Sequence, residues 1–230
     1  MVENSRIYTK NIPEAGIIYE ERLPVGYKNF SEKMERMKRG EFFEWPNMVA
    51  LNQVISCFIK KAKKIAVVGS GTGTFEWFAS VDSSLNFISS EFDNDCVEWC
   101  KKNRQRENIV YTSKSIKELM RENGKFDLAV CVDVIEHVGD FGNFLVELSQ
   151  LSNRAIITTP NKDRNHEAAL SPVPEYYQHV REWDAGELYW VLRVFYRKVD
   201  LYAMPDLYVP QAEKIGLMST MTPLIAICEK

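Results

Sequence analysis

Three glycines at alternate positions, Gly69, Gly71 and Gly73, follow directly on an apolar run in IAVVGSGTGTF (65–75). A strand that breaks into such a turn and opens a helix is a nucleotide-binding device. Glycine reaches positive φ and lets a ligand approach the main-chain amides. A dinucleotide fingerprint needs its third glycine where Thr74 or Glu76 stands, and no Lys followed by Ser or Thr completes a P-loop. Glu91 lies in NFISSEF (86–92), 18 residues past Gly73. At the end of a second strand, an acid at about that distance accepts hydrogen bonds from ribose hydroxyls. Phe92 beside it has the apolar surface to cover an adenine. DVIEHV (133–138) adds Asp133, Glu136 and His137, and EYYQHVREW (175–183) adds His179. These are groups able to take a proton from a hydroxyl, and imidazole titrates in the useful range. Each also has a plain structural use: a surface acid for Glu91, strand-end packing for His137, a loop hydrogen bond for His179.

In their order, these segments resemble the small-molecule branch of the class I S-adenosylmethionine-dependent methyltransferases. The glycine spacing is similar to the family's first motif. FDLAVCVDVIEHV (126–138) resembles its fourth-strand signature, and TTPN (158–161), closing RAIITTPN, resembles its fifth. HVREW (179–183) with the following DAGELYWVL resembles a loop leading into the next helix. The resemblance runs over roughly residues 64–230. It implies S-adenosylmethionine as cofactor and S-adenosylhomocysteine as product. The cofactor site it implies comprises Gly69, Ser70, Gly71, Gly73, Glu91, Phe92, Ser115, Ile116, Val132, Asp133 and Val134, with His137, His179 and Asp133 as catalytic candidates. The acceptor it implies is an oxygen of a sugar, lipid or quinone-like small molecule. Two positions depart from the pattern: Val67 stands where many members carry an acid two residues before the first glycine, and Ser115 in YTSKSI (111–116) where an acid often meets the adenine amino group.

These residues need strands to carry them. Strands are expected at 64–69, 85–91, 109–112, 126–132 and 154–159, with helices at Thr74–Ser80, Asp95–Arg106, Ile116–Asn123, Phe141–Ser152 and 185–195 between or after them. Alternating strand and helix predicts an α/β, Rossmann-like doubly wound sheet, mostly parallel, with helices on both faces. YRKVDLYAM (196–204) and PLIAICE (223–229) predict an antiparallel pair at the end. Met48, Leu51, Val54, Ile55 and Phe58 recur at helical spacing in an N-terminal extension, with Pro46 suited to a first turn. Residues 1–63 are expected to form an arm and helices over the site. The resemblance implies a methyltransferase domain over 64–230, with a lid or acceptor loop expected at 161–184.

Composition sets the outer bounds. With 230 residues, 45% of them hydrophobic, the chain can bury one sizeable core. A net charge of −3 speaks against a nucleic-acid partner. KKAKK (60–64) is expected at the solvent-facing C-terminus of a helix. Five cysteines with only three histidines, none close-paired with a cysteine, predict free thiols, no structural zinc and a cytoplasmic setting. The polar start MVENSRIYTK and the lack of an apolar stretch near ~20 residues predict no leader and no membrane span. Phe42, Phe43 and Trp45, and Tyr176, Tyr177 and Trp183, either line an acceptor pocket or are ordinary packing. Two other functions stay open: a non-catalytic module on the same fold, to which Val67 points, and a nicotinamide-dependent oxidoreductase, against which Thr74 and Glu76 stand.

Overall fold

A computed structural model of the chain describes residues 46–59, 61–164, 174 and 179–230. The expected N-terminal arm, the aromatics at 42, 43, 45, 176 and 177, and most of the loop over 165–178 lie outside the described residues. In chain order the elements are α1 (Pro46–Phe58), β1 (Lys64–Val68), α2 (Thr74–Ala79), β2 (Asn86–Ser90), α3 (Asn94–Asn103), β3 (Ile109–Thr112), α4 (Ile116–Asn123) and β4 (Leu128–Val132). There follow a 3-10 turn (Ile135–His137), α5 (Phe141–Leu151), β5 (Arg154–Thr159), a second 3-10 turn (Lys162–Arg164), α6 (Ala185–Arg193), β6 (Lys198–Ala203), β7 (Glu213–Lys214) and β8 (Leu224–Glu229).

The strands form one sheet in the order β3-β2-β1-β4-β5-β8-β6-β7. β1 to β5 pair in parallel, whereas β8 runs antiparallel to both β5 and β6. This is the Rossmann-like fold expected, with the antiparallel final strand wedged between β5 and β6. The strand order reverses between β1 and β4, and in such sheets a crevice for ligands opens there, past the carboxyl ends of the strands. Burial on both faces explains the near-continuous apolar strands: Ala129, Val130 and Cys131 of β4 are all fully buried. Val67 lies in the core as well, paired with Ser89 and Val130.

Side chains at the helix ends fix where the chain enters each helix. Asp93 accepts from the Asp95 and Cys96 amides at 2.8 and 3.3 Å and starts α3, whose buried face includes Cys96 and Cys100. Ser115 with Glu118, and Asp184 with Glu187, form capping boxes at α4 and α6. The basic run is placed differently from expectation. α1 stops at Phe58, Lys61 turns with φ 67°, and Lys64 already belongs to β1, with its ammonium 4.7 Å from the centre of the Phe126 ring. Among the described residues no helix is long and apolar enough to cross a membrane, and the cysteines there are free, all buried but Cys57.

Candidate active site

β1 delivers the chain to the glycine turn. Gly69, Gly71 and Gly73 have φ of 71°, 54° and 72°, the left-handed region that side chains disfavour. The Gly69 and Ser70 amides both donate to the Ser90 carbonyl, at 2.8 and 3.0 Å, which folds the turn back over the end of β2. Glu91, only 3% exposed, completes the arrangement. One carboxylate oxygen accepts from the Gly71 amide at 2.8 Å and the other from the Asp93 amide at 3.1 Å. Burial pushes the Glu91 carboxyl above its ordinary pKa, and the two amides pull it back. Each carboxylate oxygen keeps a further lone pair for a hydroxyl. Phe92 next to it is exposed, as a face for a flat ring would be.

The turn therefore fits an adenosyl ligand through the buried carboxylate of Glu91 aligned at the strand end beside it. The Ser115 hydroxyl donates to Glu118 Oε2 at 2.7 Å within the α4 cap, and the adjoining Ile116 is buried. Glu91→Ala is expected to weaken S-adenosylhomocysteine binding by about 1.5–3 kcal/mol, roughly tenfold to a hundredfold, in isothermal titration. Unchanged affinity would remove Glu91 from the ribose.

β4 delivers the second half of the site. Val132 pairs with Thr158 of β5, and the chain then turns through Asp133 at φ 52°, a conformation aspartate tolerates better than most side chains. Thr158 holds that turn: its hydroxyl donates to Asp133 Oδ1 at 2.7 Å and accepts from the Asp133 amide at 3.1 Å. Val134 then packs against the glycine turn, so closely that a Cβ on Gly69 would come within 2.6 Å of Val134 Cγ2. The glycine turn and the acidic strand end are thus in direct contact. Glu136 is 1% exposed, and its Oε2 accepts from the Thr159 hydroxyl at 3.0 Å. Burial raises the pKa of Asp133, with Thr158 and His137 opposing. Burial, and then the charge of Asp133, push Glu136 well above the carboxylate range.

His179 reaches this place through the backbone. The Glu136 carbonyl accepts from the Val180 and Arg181 amides at 2.7 and 3.2 Å, pinning HVREW to the 3-10 turn. The rings of His137 and His179 meet edge to face, centroids 5.0 Å apart. His179 Nδ1 lies 2.7 Å from Glu182 Oε1, and Arg164 grips both oxygens of Glu182 at 3.1 and 3.2 Å. Burial works against ionisation of Glu182, but Arg164 and His179 outweigh it and hold its carboxyl below the usual range. The nearby carboxylate makes Nδ1 the protonated nitrogen and leaves the electron pair on Nε2. Burial lowers the His179 pKa against the pull of Glu182, which favours the neutral ring.

Sequence reasoning brought Asp133, His137 and His179 to one place. It missed Glu182, Arg164 and Asn161. Asn161, fully buried, donates its amide hydrogens to the carbonyls of Ser219 and Met221 at 2.7 and 2.8 Å and so secures the approach to β8. Arg181 pairs with Glu187 at 3.1 Å and stacks 4.2 Å from the Trp183 ring. Trp183 is 1% exposed, edge to face with Phe141, which makes it packing rather than a pocket wall.

Residues 55–195 match a family model described as a methyltransferase domain. No curated protein matches the chain. Among solved structures, the methyltransferase domain of bacterial CtHen1 superposes with a TM-score of 0.59 at 19% identity, covering 79% of this chain and all of that one. A possible histamine N-methyltransferase from Thermotoga maritima gives 0.62 at 16% identity, over 86% and 98% of the two chains. Magnesium protoporphyrin IX methyltransferase from Synechocystis PCC 6803, with bound S-adenosylhomocysteine, gives 0.59 at 14%, over 85% and 94%.

Proposed function

The chain belongs to the methyltransferase-domain family, an S-adenosylmethionine-dependent enzyme class, and we propose that its acceptor is an oxygen of a small molecule seated over the ends of β4 and β5. The observation that carries this is the contact between Val134 and the glycine turn. It supports a reading in which Asp133, Glu136, His137 and His179 stand beside the cofactor, where a hydroxyl must lose its proton as it is methylated. The chain's glycine turn and Glu91 would hold and orient the cofactor, with Phe92, Ile116 and Val132 among the residues around it. When bound, the cofactor supplies an electrophilic methyl group on a sulfonium. The carboxylate–imidazole group of Asp133, Glu136, His137 and His179 would take the proton that the acceptor hydroxyl loses, or pass it on to water.

Holding the acceptor in line with the methyl group is the larger part of the catalysis, since the step is a displacement between aligned partners. Small-molecule acceptors are also what the histamine and magnesium protoporphyrin enzymes are named for, and a sugar, a lipid or a quinone-like phenol fits the same chemistry. The free thiols support a cytoplasmic setting. The test is a panel of hydroxylated acceptors with isotopically labelled cofactor, read by mass spectrometry. Methyl ether products are expected. His137→Ala and His179→Ala should each lower turnover by about 100-fold or more with S-adenosylhomocysteine affinity retained. Transfer only to nitrogen or carbon, or full turnover in both variants, would overturn the oxygen acceptor.

A further inference from the structure

The same strand ends hold a donor set that proton removal alone does not explain. One carboxylate oxygen of Glu136 and one ring nitrogen each of His137 and His179 lie within 4.8 Å of one another. Two imidazoles and a carboxylate, drawn from two separate segments, are a set that suits first-row divalent ions. Two independent features of the surroundings point to a ligand.

The first is Glu136 itself. Thr159 satisfies its Oε2, but Oε1 is buried with no hydrogen-bond partner. A buried carboxylate oxygen left in that state is costly, and a cation removes the cost. The second is the support behind His179. Its Nδ1 is held at 2.7 Å by Glu182, and Glu182 by Arg164, which orients the ring and directs the lone pair away from that carboxylate. Carboxylates backing histidines in this way are the usual outer partners of metal-bound imidazoles. A histidine acting only as a loop hydrogen-bond donor has no need of an ion-paired carboxylate fixed by an arginine.

We propose that Glu136, His137 and His179 bind one divalent cation, and that its open coordination positions receive the acceptor oxygen. The mixed nitrogen and oxygen donors favour Mn2+, Fe2+, Co2+ or Zn2+ over Ca2+ and Mg2+, which prefer oxygen alone. A cation there lowers the pKa of a hydroxyl it contacts, so the two histidines become holding groups. Asp133 then remains as the carboxylate beside the acceptor, its Oδ1 already fixed by Thr158. No metal site was expected from the cysteine and histidine spacing, because the ligands meet across the fold, from 136–137 and 179. The use of the cation rests on the oxygen-acceptor proposal; the existence of the site does not.

The experiment therefore measures the ion without any acceptor. The full chain, stripped with a chelator and dialysed, is titrated with MnCl2 by calorimetry and electron paramagnetic resonance, and with CoCl2 by visible absorption. One ion per chain is expected, with a Co2+ spectrum characteristic of nitrogen ligands. In Glu136→Gln and His179→Ala the ion should bind at least about tenfold to a hundredfold more weakly, while S-adenosylhomocysteine affinity is kept. If the folded, cofactor-binding wild-type protein takes up neither ion at millimolar levels, the proposal is overturned, whatever the variants do. Uptake that is unchanged in both variants overturns it as well. Uptake at the site together with methyl transfer to nitrogen would leave the cation standing and remove the oxygen acceptor.

Discussion

Gly69→Val is expected to reduce S-adenosylhomocysteine binding by about 100-fold or more. Two costs add at that position. The residue sits at φ 71°, where an L-residue loses about 1–2 kcal/mol and a β-branched one more. Its first side-chain atom would then come within 2.6 Å of Val134 Cγ2, closer than real contacts allow, so either the turn or Val134 must move. Together these approach the ~2.8 kcal/mol that a hundredfold change represents. Because Val134 is one residue from Asp133, the displacement reaches both halves of the site at once. Calorimetry on a sample whose circular dichroism matches the wild type checks this, and wild-type affinity in the variant would refute it. Gly71→Val, at φ 54° and donating its amide to Glu91, should behave similarly.

Glu76→Gln is expected to change stability in a pH-dependent way. Glu76, in the first turn of α2, is fully buried. Burial raises its pKa from 4.5 to about 7, although its own backbone amide, Ser89 and Arg104 favour the charged form. The folded protein thus holds this proton where the unfolded chain has released it. Stability contributed by the neutral carboxyl is complete below the unfolded pKa and drains away as pH rises through the folded one. A difference of about 2.5 units corresponds to roughly 3 kcal/mol. Urea denaturation at about pH 5 and about pH 8 should show the wild type losing that much more than Glu76→Gln across the interval. Parallel pH profiles for the two proteins would mean that Glu76 is already ionised, or that its neighbours compensate in full.

Much of this architecture is legible in residue order. β3 and β5 fall at their expected bounds, and β1, β2 and β4 within two residues of them, because buried parallel strands are short apolar runs set off by turns and caps. The left-handed glycine turn and the strand-end place of Glu91 are legible because both depend on local spacing. The Glu182–Arg164 pair, the anchoring by Asn161 and the burial of Glu76 are not. Glu76 occupies a helical position that reads as an ordinary first-turn acid, and only the packing of the whole fold removes it from water. Glu182 sits among charged and aromatic residues where a solvent-facing role is the natural expectation. Its partners are 3 and 18 residues away, at distances no local pattern marks. Ser115, by contrast, takes part in a helix cap that S-x-x-E spacing does announce.

The position of β8 bears on how the molecule is made. β5 and β6 never pair with each other; each is hydrogen-bonded along six residues to β8, which comes later in the chain than both. As the chain emerges during synthesis, β1 to β5 can assemble first, and β5 then offers an open edge lined by Ala155, Ile156 and Ile157. Such an edge is where neighbouring chains join in error. It stays open while α6, β6 and the excursion through β7 are produced. Thr158 and Thr159, which steady Asp133 and Glu136, lie at the end of that same strand and face Ile225 and Leu224 across the closing ladder. Chaperone dependence, and the fate of chains stalled before residue 224, should therefore track one late event, the insertion of β8.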